Sequence, residues 1–245
     1  MTYKITYPKF IFLLLASALM STIIPIPTPI AKETDLTADD IIRRMAQVYA
    51  ESKSYTDQGV VISVFISADG TRTIEKPFKT FFVRPDRFRF EYREKKTIGQ
   101  SFHYIAYKNG EDVKVYWNID PEMVGKIKTL SEALSAAAGI SSGSARTVPT
   151  MLIPGDSEFR NAITYYEPLR IEDAVFDGVN CFRISDPTDY RRLTLWIGKE
   201  DFLLRKMYRE QDFNDFKLQE TSTYDPTING VVPNRMLEFD SPNKD

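Results

Sequence analysis

The chain carries few residues able to do covalent or metal chemistry, and their spacing argues against it. One histidine, His103, and one cysteine, Cys181, serve 245 residues. A zinc site or a histidine-based triad needs partners that a lone His103 at the start of a strand lacks. Carboxylates are the remaining candidates. Glu91 with Glu94, or Asp186 with Asp189, could supply the acid and base of a glycosidase, although charged strand faces and a Pro-containing turn read more simply as solvated surface. There is no Gly-rich phosphate loop and no G-x-S-x-G elbow. Cys181 has no partner within the chain and reads as a buried thiol, with a reactive thiol as the alternative. No catalytic residue, cofactor or metal is expected.

The elements that would have to position such groups are strands. After Arg84-Pro85, the aromatic residues Phe88, Phe90 and Tyr92 alternate with Arg87, Arg89 and Glu91, which is the period of a strand with one aromatic and one charged face. Val60, Ile62, Val64 and Ile66 form another such face ahead of a turn at Asp69-Gly70, and Phe78, Thr80 and Phe82 lie on the return strand. Asn109-Gly110 joins Phe102–Lys108 to Val113–Trp117, and Asp177-Gly178 and Asn229-Gly230 mark two further hairpins. Strands are expected around Ile163–Phe176, Cys181–Ser185, Leu193–Ile197, Phe202–Arg209, Phe216–Tyr224 and Val231–Phe239. The total is about ten or eleven antiparallel strands, and a sheet that wide must curl.

Two helical signals interrupt this rhythm. Thr37 with Asp40 resembles a capping box, Leu36 is placed to staple onto Ile41, and Ile41, Ile42, Met45, Val48 and Tyr49 share one helix face. Thr129 with Glu132 repeats the pattern before an Ala-rich helix, Leu130 to Ala138, closed by Gly139. A Ser/Gly loop and the apolar piece Val148–Pro154 follow. This insertion, about residues 120–155, has the composition of a lid or plug, and equally of an ordinary helix covering the sheet.

The N-terminus sets the compartment. Lys4 and Lys9 precede an apolar run from Phe10 to Ile24, shorter than the roughly 20 residues a membrane span needs, and Pro25, Pro27 and Pro29 follow. Residues 1–31 read as a signal peptide with Ala31 as the last residue before cleavage, and an uncleaved anchor is the alternative. The full chain has a net charge of −2; without Lys4 and Lys9 the balance is 30 basic against 34 acidic residues. That excludes a nucleic-acid footprint. Residues 32–245 are expected to be a single periplasmic domain held by its apolar core without disulfides.

The order of landmarks carries a resemblance. Val83-Arg84-Pro85-Asp86-Arg87-Phe88, Asn109-Gly110 leading into Val115-Tyr116-Trp117-Asn118, Val148 to Ile153, Leu193-Thr194-Leu195-Trp196-Ile197 with Phe202-Leu203-Leu204-Arg205, and Phe239-Asp240-Ser241-Pro242 resemble the periplasmic lipoprotein-carrier (LolA-like) family. The resemblance implies an α+β fold, a half-open antiparallel β-barrel whose concave face is covered by helices. It also implies a cavity for the acyl chains of a lipid or lipoprotein, and an Arg before the Pro that ties lid backbone shut, the position of Arg84.

On that basis the lipid-binding wall is expected to include Val60, Ile62, Val64, Phe78, Phe82, Phe88, Phe90 and Tyr92, with Met151 and Leu152 from the lid and Arg84 as the lid latch. The expected partner is a lipid or acylated lipoprotein, with an envelope membrane protein as a possible second; no nucleic acid is expected, and the protein is expected to be a monomeric, non-enzymatic carrier. Two alternatives stand beside it: an envelope signalling adaptor of the same fold that binds a partner protein, and a hydrolase using a carboxylate pair. The chain ends soon after the last expected strand, so the C-terminal extension of some carriers is not expected here.

Overall fold

Side-chain alternation of period two demands a sheet, and the computed structural model of the chain is built around one. It describes residues 36–94, 101–153, 167–187 and 191–240, all within the compact unit Leu36–Asp245. The segment expected to be a signal peptide, Pro154, Ile163, Asp189 and Ser241-Pro242 lie outside these residues.

The chain enters through α1 (Ala38–Glu51), whose N-cap is the expected box: Asp40 N–H donates to Thr37 Oγ at 3.2 Å and Thr37 N–H to Asp40 Oδ2 at 3.2 Å. Five strands follow, β1 (Ser54–Ser67), β2 (Gly70–Val83), β3 (Arg87–Glu94), β4 (Phe102–Asn109) and β5 (Asp112–Trp117). The insertion is α2 (Pro121–Val124), α3 (Leu130–Ile140) and α4 (Ser144–Leu152), and the second meander is β6 (Leu169–Phe176), β7 (Val179–Pro187), β8 (Arg191–Gly198), β9 (Leu204–Asp212) and β10 (Phe216–Thr223). A two-residue β11 (Thr227–Ile228) pairs with the start of β1.

All pairings are antiparallel, in the order β5-β4-β3-β2-β1-β10-β9-β8-β7-β6. The two meanders therefore join where β1 meets β10, and the sheet is an unclosed, α+β half-open barrel of eleven strands. Among the described residues its outer strands β5 and β6 have no further strand neighbour.

Four local features differ from expectation. Ser67 pairs with Gly70 and Asn109 with Asp112, so those hairpin loops are Ala68–Asp69 and Gly110–Glu111, each displaced by one residue, whereas Asp177 and Gly178 form the expected loop with φ of 48° and 77°. Helix α3 runs through Gly139 to Ile140, and the left-handed residues are Ser142 and Gly143. The apolar piece is helix α4 with Pro149 inside it. Val231–Phe239 is not a strand. Pro233 has no N–H to offer a ladder, and the segment instead leaves the sheet and forms a 3-10 turn, Asn234–Leu237.

Candidate functional site

The register decides which side chains share the concave face. Tyr55 pairs with Phe82, Asp57 with Thr80, Gly59 with Phe78 and Val61 with Lys76; across the next ladders Phe78, Thr80 and Phe82 face Tyr92, Phe90 and Phe88, and Phe90 and Tyr92 face Ala106 and Tyr104. Residues directly opposite point to the same side. Phe78, Phe82, Phe88, Phe90, Tyr92 and Tyr104 thus form one aromatic wall, buried beneath the helices and continued by Trp117 on β5.

Six of the expected wall residues are brought together: Phe78, Phe82, Phe88, Phe90, Tyr92 and Leu152 belong to one core cluster, and Met151 packs against it. Val60, Ile62 and Val64 are a correction. They pair with Pro77, Glu75 and Thr73 and occupy the opposite, convex face, where they are half-buried. The inward positions of β1 are Tyr55, Asp57, Gly59, Val61 and Ser63, so polar residues mark the buried side and the apolar alternation points away from it. Gly59 has a steric reason to be there: a Cβ would lie 2.2 Å from Phe78 Cζ and 2.4 Å from the Thr223 carbonyl oxygen.

The helices cover this wall with small and aliphatic side chains. Ala133, Leu134 and Ala137 of α3, Ala145, Val148 and Leu152 of α4, and Ile41, Met45 and Tyr49 of α1 are all almost fully buried in the same cluster. A few polar contacts tie them down. Tyr104 Oη donates to the Ala133 carbonyl at 2.8 Å, and the Leu204 N–H donates to Tyr49 Oη at 3.0 Å.

Arg84 does hydrogen-bond helix backbone, but the helix is α1 and not the insertion. Its Nε donates to the Ser52 carbonyl at 2.7 Å and its terminal nitrogen to the carbonyls of Tyr49, at 3.3 Å, and Ala50. These are carbonyls of the helix end, of which Tyr49 also accepts from the Ser52 hydroxyl at 2.8 Å, and α1 has no basic residue in its own last turn. Arg84 supplies the missing charge at the negative pole of the helix.

A second polar contact lies at the other end of the wall. Lys76 Nζ donates to Ser142 Oγ at 2.6 Å, the Ser142 and Ser63 hydroxyl oxygens are 3.1 Å apart, and Ser63 donates to Glu220 Oε1 at 3.0 Å. Arg209 pairs with Glu220, Nε to Oε2 at 2.9 Å, and approaches the Ser142 carbonyl at 3.5 Å. Burial lowers the Lys76 pKa; at Glu220 burial pushes upward but is outweighed by Arg209 and the two serine hydroxyls, leaving the carboxyl below its ordinary value.

Between these ends sits a buried acid. Asp57 accepts the Asp225 N–H at 2.8 Å through Oδ1, and its Oδ2 and the Tyr55 and Tyr224 hydroxyls have no hydrogen-bond partner among the described residues. Burial raises its pKa to about 7.

Of the two expected carboxylate pairs, Asp186 with Asp189 extends outside the described residues, and Glu91 with Glu94 is not assembled. Glu91 and Glu94 are three residues apart on β3 and point to opposite faces: Glu94 accepts the Tyr92 hydroxyl at 2.8 Å, whereas Glu91 lies on the convex face beside Arg89, Arg93 and His103. The His103 ring, with Arg93 and Arg89, holds Glu91 at a pKa of about 2. Arg89 also donates to the Glu238 carbonyl at 2.6 Å, which fixes the C-terminal segment across the convex face. Cys181 is buried and unpaired, and burial pushes its thiol up.

No known family model and no curated protein matches this sequence. Several solved structures are similar in fold at low sequence identity. The Pseudomonas aeruginosa MucA/MucB complex aligns with 83% of this chain at 10% identity and a TM-score of 0.45, and the chain spans 61% of that one. Mycobacterium tuberculosis lipoprotein LppX aligns with 80% of this chain and 97% of its own at 13% identity and a TM-score of 0.42. A LolA-superfamily protein from Nitrosomonas europaea aligns with 83% and 98% at 9% identity and a TM-score of 0.28.

Proposed function

We propose that this protein is an exported, non-enzymatic binding protein that holds acyl chains of a lipid or acylated protein between its sheet and its helices. The observation that carries the reading is the aromatic wall covered by helices whose polar ties, among the described residues, include Arg84 to the end of α1, Leu204 to Tyr49, Tyr104 to α3, and Lys76, Ser63 and Arg209 to the turn between α3 and α4. Export rests on the N-terminal run; no helix among the described residues is long and apolar enough to cross a membrane.

The magnitudes fit a reversible container. A 16-carbon chain offers on the order of 12 kcal/mol of gross burial at about 0.8 kcal/mol per CH₂. Unopposed, that would hold the cargo too tightly to release. Moving the helices off the wall gives up their own apolar contacts and several hydrogen bonds, each worth about 1 kcal/mol net, so closure competes with cargo. The wall is also long enough: the eight steps from Tyr55 to Ser63 span about 26 Å at roughly 3.3 Å per residue. One acyl chain reaches about half of a 30 Å bilayer core.

Titration of delipidated protein with a fluorescent 16-carbon fatty acid, together with mass spectrometry of whatever co-purifies, tests the reading. Saturable uptake near one chain per protein is expected. Absence of uptake, with an intact far-UV spectrum, would overturn it.

A further inference from the structure

The contacts made by Ser142 are those of a ligand. In the turn between α3 and α4 it presents two oxygens to the polar end of the concave wall: a hydroxyl that receives Lys76 Nζ and touches Ser63, and a carbonyl that faces Arg209. Lys76 can only donate and ionised Glu220 only accept, so the hydroxyls between them run head to tail, Lys76 to Ser142 to Ser63 to Glu220. Lys76, Ser63, Ser142 and Glu220 are all buried, and the aromatic stretch of the wall begins two residues further along β2, at Phe78.

We infer that the Ser142 turn occupies a head-group site, and that the site is built for an uncharged hydroxyl and ester carbonyl attached to an acyl chain, as in an acylglycerol. The inference rests on the acyl-chain reading above and specifies its ligand. When the lid turn lifts, the Lys76 ammonium loses its acceptor and the Ser63 hydroxyl keeps only Glu220, and leaving a buried ammonium without an acceptor is unfavourable. A ligand that offers the same pair of oxygens at the end of the same wall restores these contacts.

The charge balance selects a neutral head. Buried Lys76 and half-buried Arg209 face Glu220 and Glu94, whose charges act on Lys76 from the sheet, so the charges of this cluster already balance. Arg72, the remaining charged neighbour of Lys76, is exposed and screened by solvent. A carboxylate or phosphate placed on the Ser142 position would sit beside Glu220, with Lys76 and Arg209 already facing the sheet carboxylates. A glycerol hydroxyl with its ester carbonyl meets neither obstacle.

Competition against the bound fluorescent fatty acid, below micellar concentrations, tests this with ligands of one chain length: 1-palmitoylglycerol, palmitate, and a monopalmitoylglyceryl-cysteine peptide, which keeps one glycerol hydroxyl, to separate a free glyceride from a protein-borne one. The glyceryl ligands are expected to displace the probe at concentrations about tenfold below palmitate, the difference one or two hydrogen bonds make. In Lys76→Met the ratio is expected to fall toward one while the probe is still taken up. Ser142→Ala, a change on the turn itself, is expected to raise glyceryl affinity several-fold because it weakens the internal competitor. Probe uptake without head-group preference, or a preference that Lys76→Met and Ser142→Ala both leave unchanged, would overturn this inference alone. No probe uptake would overturn the container as well.

Discussion

Arg84 and Ser52 meet through a 2.7 Å hydrogen bond from the guanidinium Nε to the backbone carbonyl, at the point where α1 hands over to β1. With the Tyr49 and Ala50 carbonyls on the same guanidinium, one side chain from the end of β2 satisfies the C-terminus of a helix it is remote from in sequence. Replacing it by Leu takes the guanidinium from three carbonyls, of which Tyr49 keeps the Ser52 hydroxyl, and removes the charge that complements the helix pole. Arg84→Leu is expected to cost about 1–3 kcal/mol of stability and to speed amide exchange in the last two turns of α1, read by hydrogen–deuterium exchange, with faster probe uptake. Unchanged exchange and uptake would remove the latch role from Arg84 and leave the wall intact.

Asp57 makes the closed form sensitive to alkali. Its carboxyl is expected to titrate near pH 7 in the folded chain and near the ordinary 3.8 when unfolded, so the folded state holds a proton the unfolded state has released. The contribution of Asp57 to stability is therefore complete below about pH 4, is lost as pH rises toward 7, and is level above, a change of up to roughly 4 kcal/mol at 1.36 kcal/mol per unit. Tyr49, Tyr55, Tyr224 and Asp225 are the titratable neighbours, and none supplies a cation. In Asp57→Asn the amide oxygen keeps the Asp225 N–H and the slope between pH 4 and 7 in denaturant midpoints should flatten.

On the convex face the sign is reversed. Glu91 is held at about 2 by His103, Arg93 and Arg89, so its contribution is complete above the ordinary carboxylate value of 4.5 and is lost as pH falls through 2. Glu91→Gln is expected to lower stability at neutral pH and to flatten the acid limb of the unfolding curve. Because Arg89 also holds the Glu238 carbonyl, faster exchange in residues 234–240 should accompany the loss.

Gly59 leaves the space that the Phe78 ring fills. Gly59→Ala places a methyl against the ring and, less forgivingly, against the backbone oxygen of Thr223, which a β1–β10 ladder cannot move without breaking register. Destabilisation of about 2–3 kcal/mol is expected in chemical denaturation. The double change Gly59→Ala with Phe78→Leu relieves only the ring contact and should recover part of it.

Much of this architecture was legible in the residues, and the failures share a cause. Both capping boxes and the inner faces of β2 and β3 were readable because Thr-x-x-Asp/Glu is local and because Phe78, Phe82, Phe88, Phe90 and Tyr92 leave no doubt about parity. In β1 the same rule misled, since Asp57, Gly59 and Ser63 sit at inward positions for reasons supplied by other strands: a ring to accommodate, an Asp225 amide to accept, a Glu220 to reach. Helix α4 hid behind Ser, Gly and Pro149, and its stability comes from packing on α1 and α3. Which helix Arg84 would tie was not legible for want of long-range information; nothing near Arg84 in the sequence says that α1 ends beside it.

The most direct test uses the two tryptophans. Trp117 continues the inner aromatic wall against Tyr104, with ring centroids 5.9 Å apart, whereas Trp196 lies on the other face between Arg183 and Lys206. A brominated 18-carbon fatty acid bound between sheet and helices is expected to quench Trp117 emission strongly in Trp196→Phe and to leave Trp196 emission unchanged in Trp117→Phe. Saturable binding that quenches Trp196 and spares Trp117 would contradict an acyl chain on the concave wall.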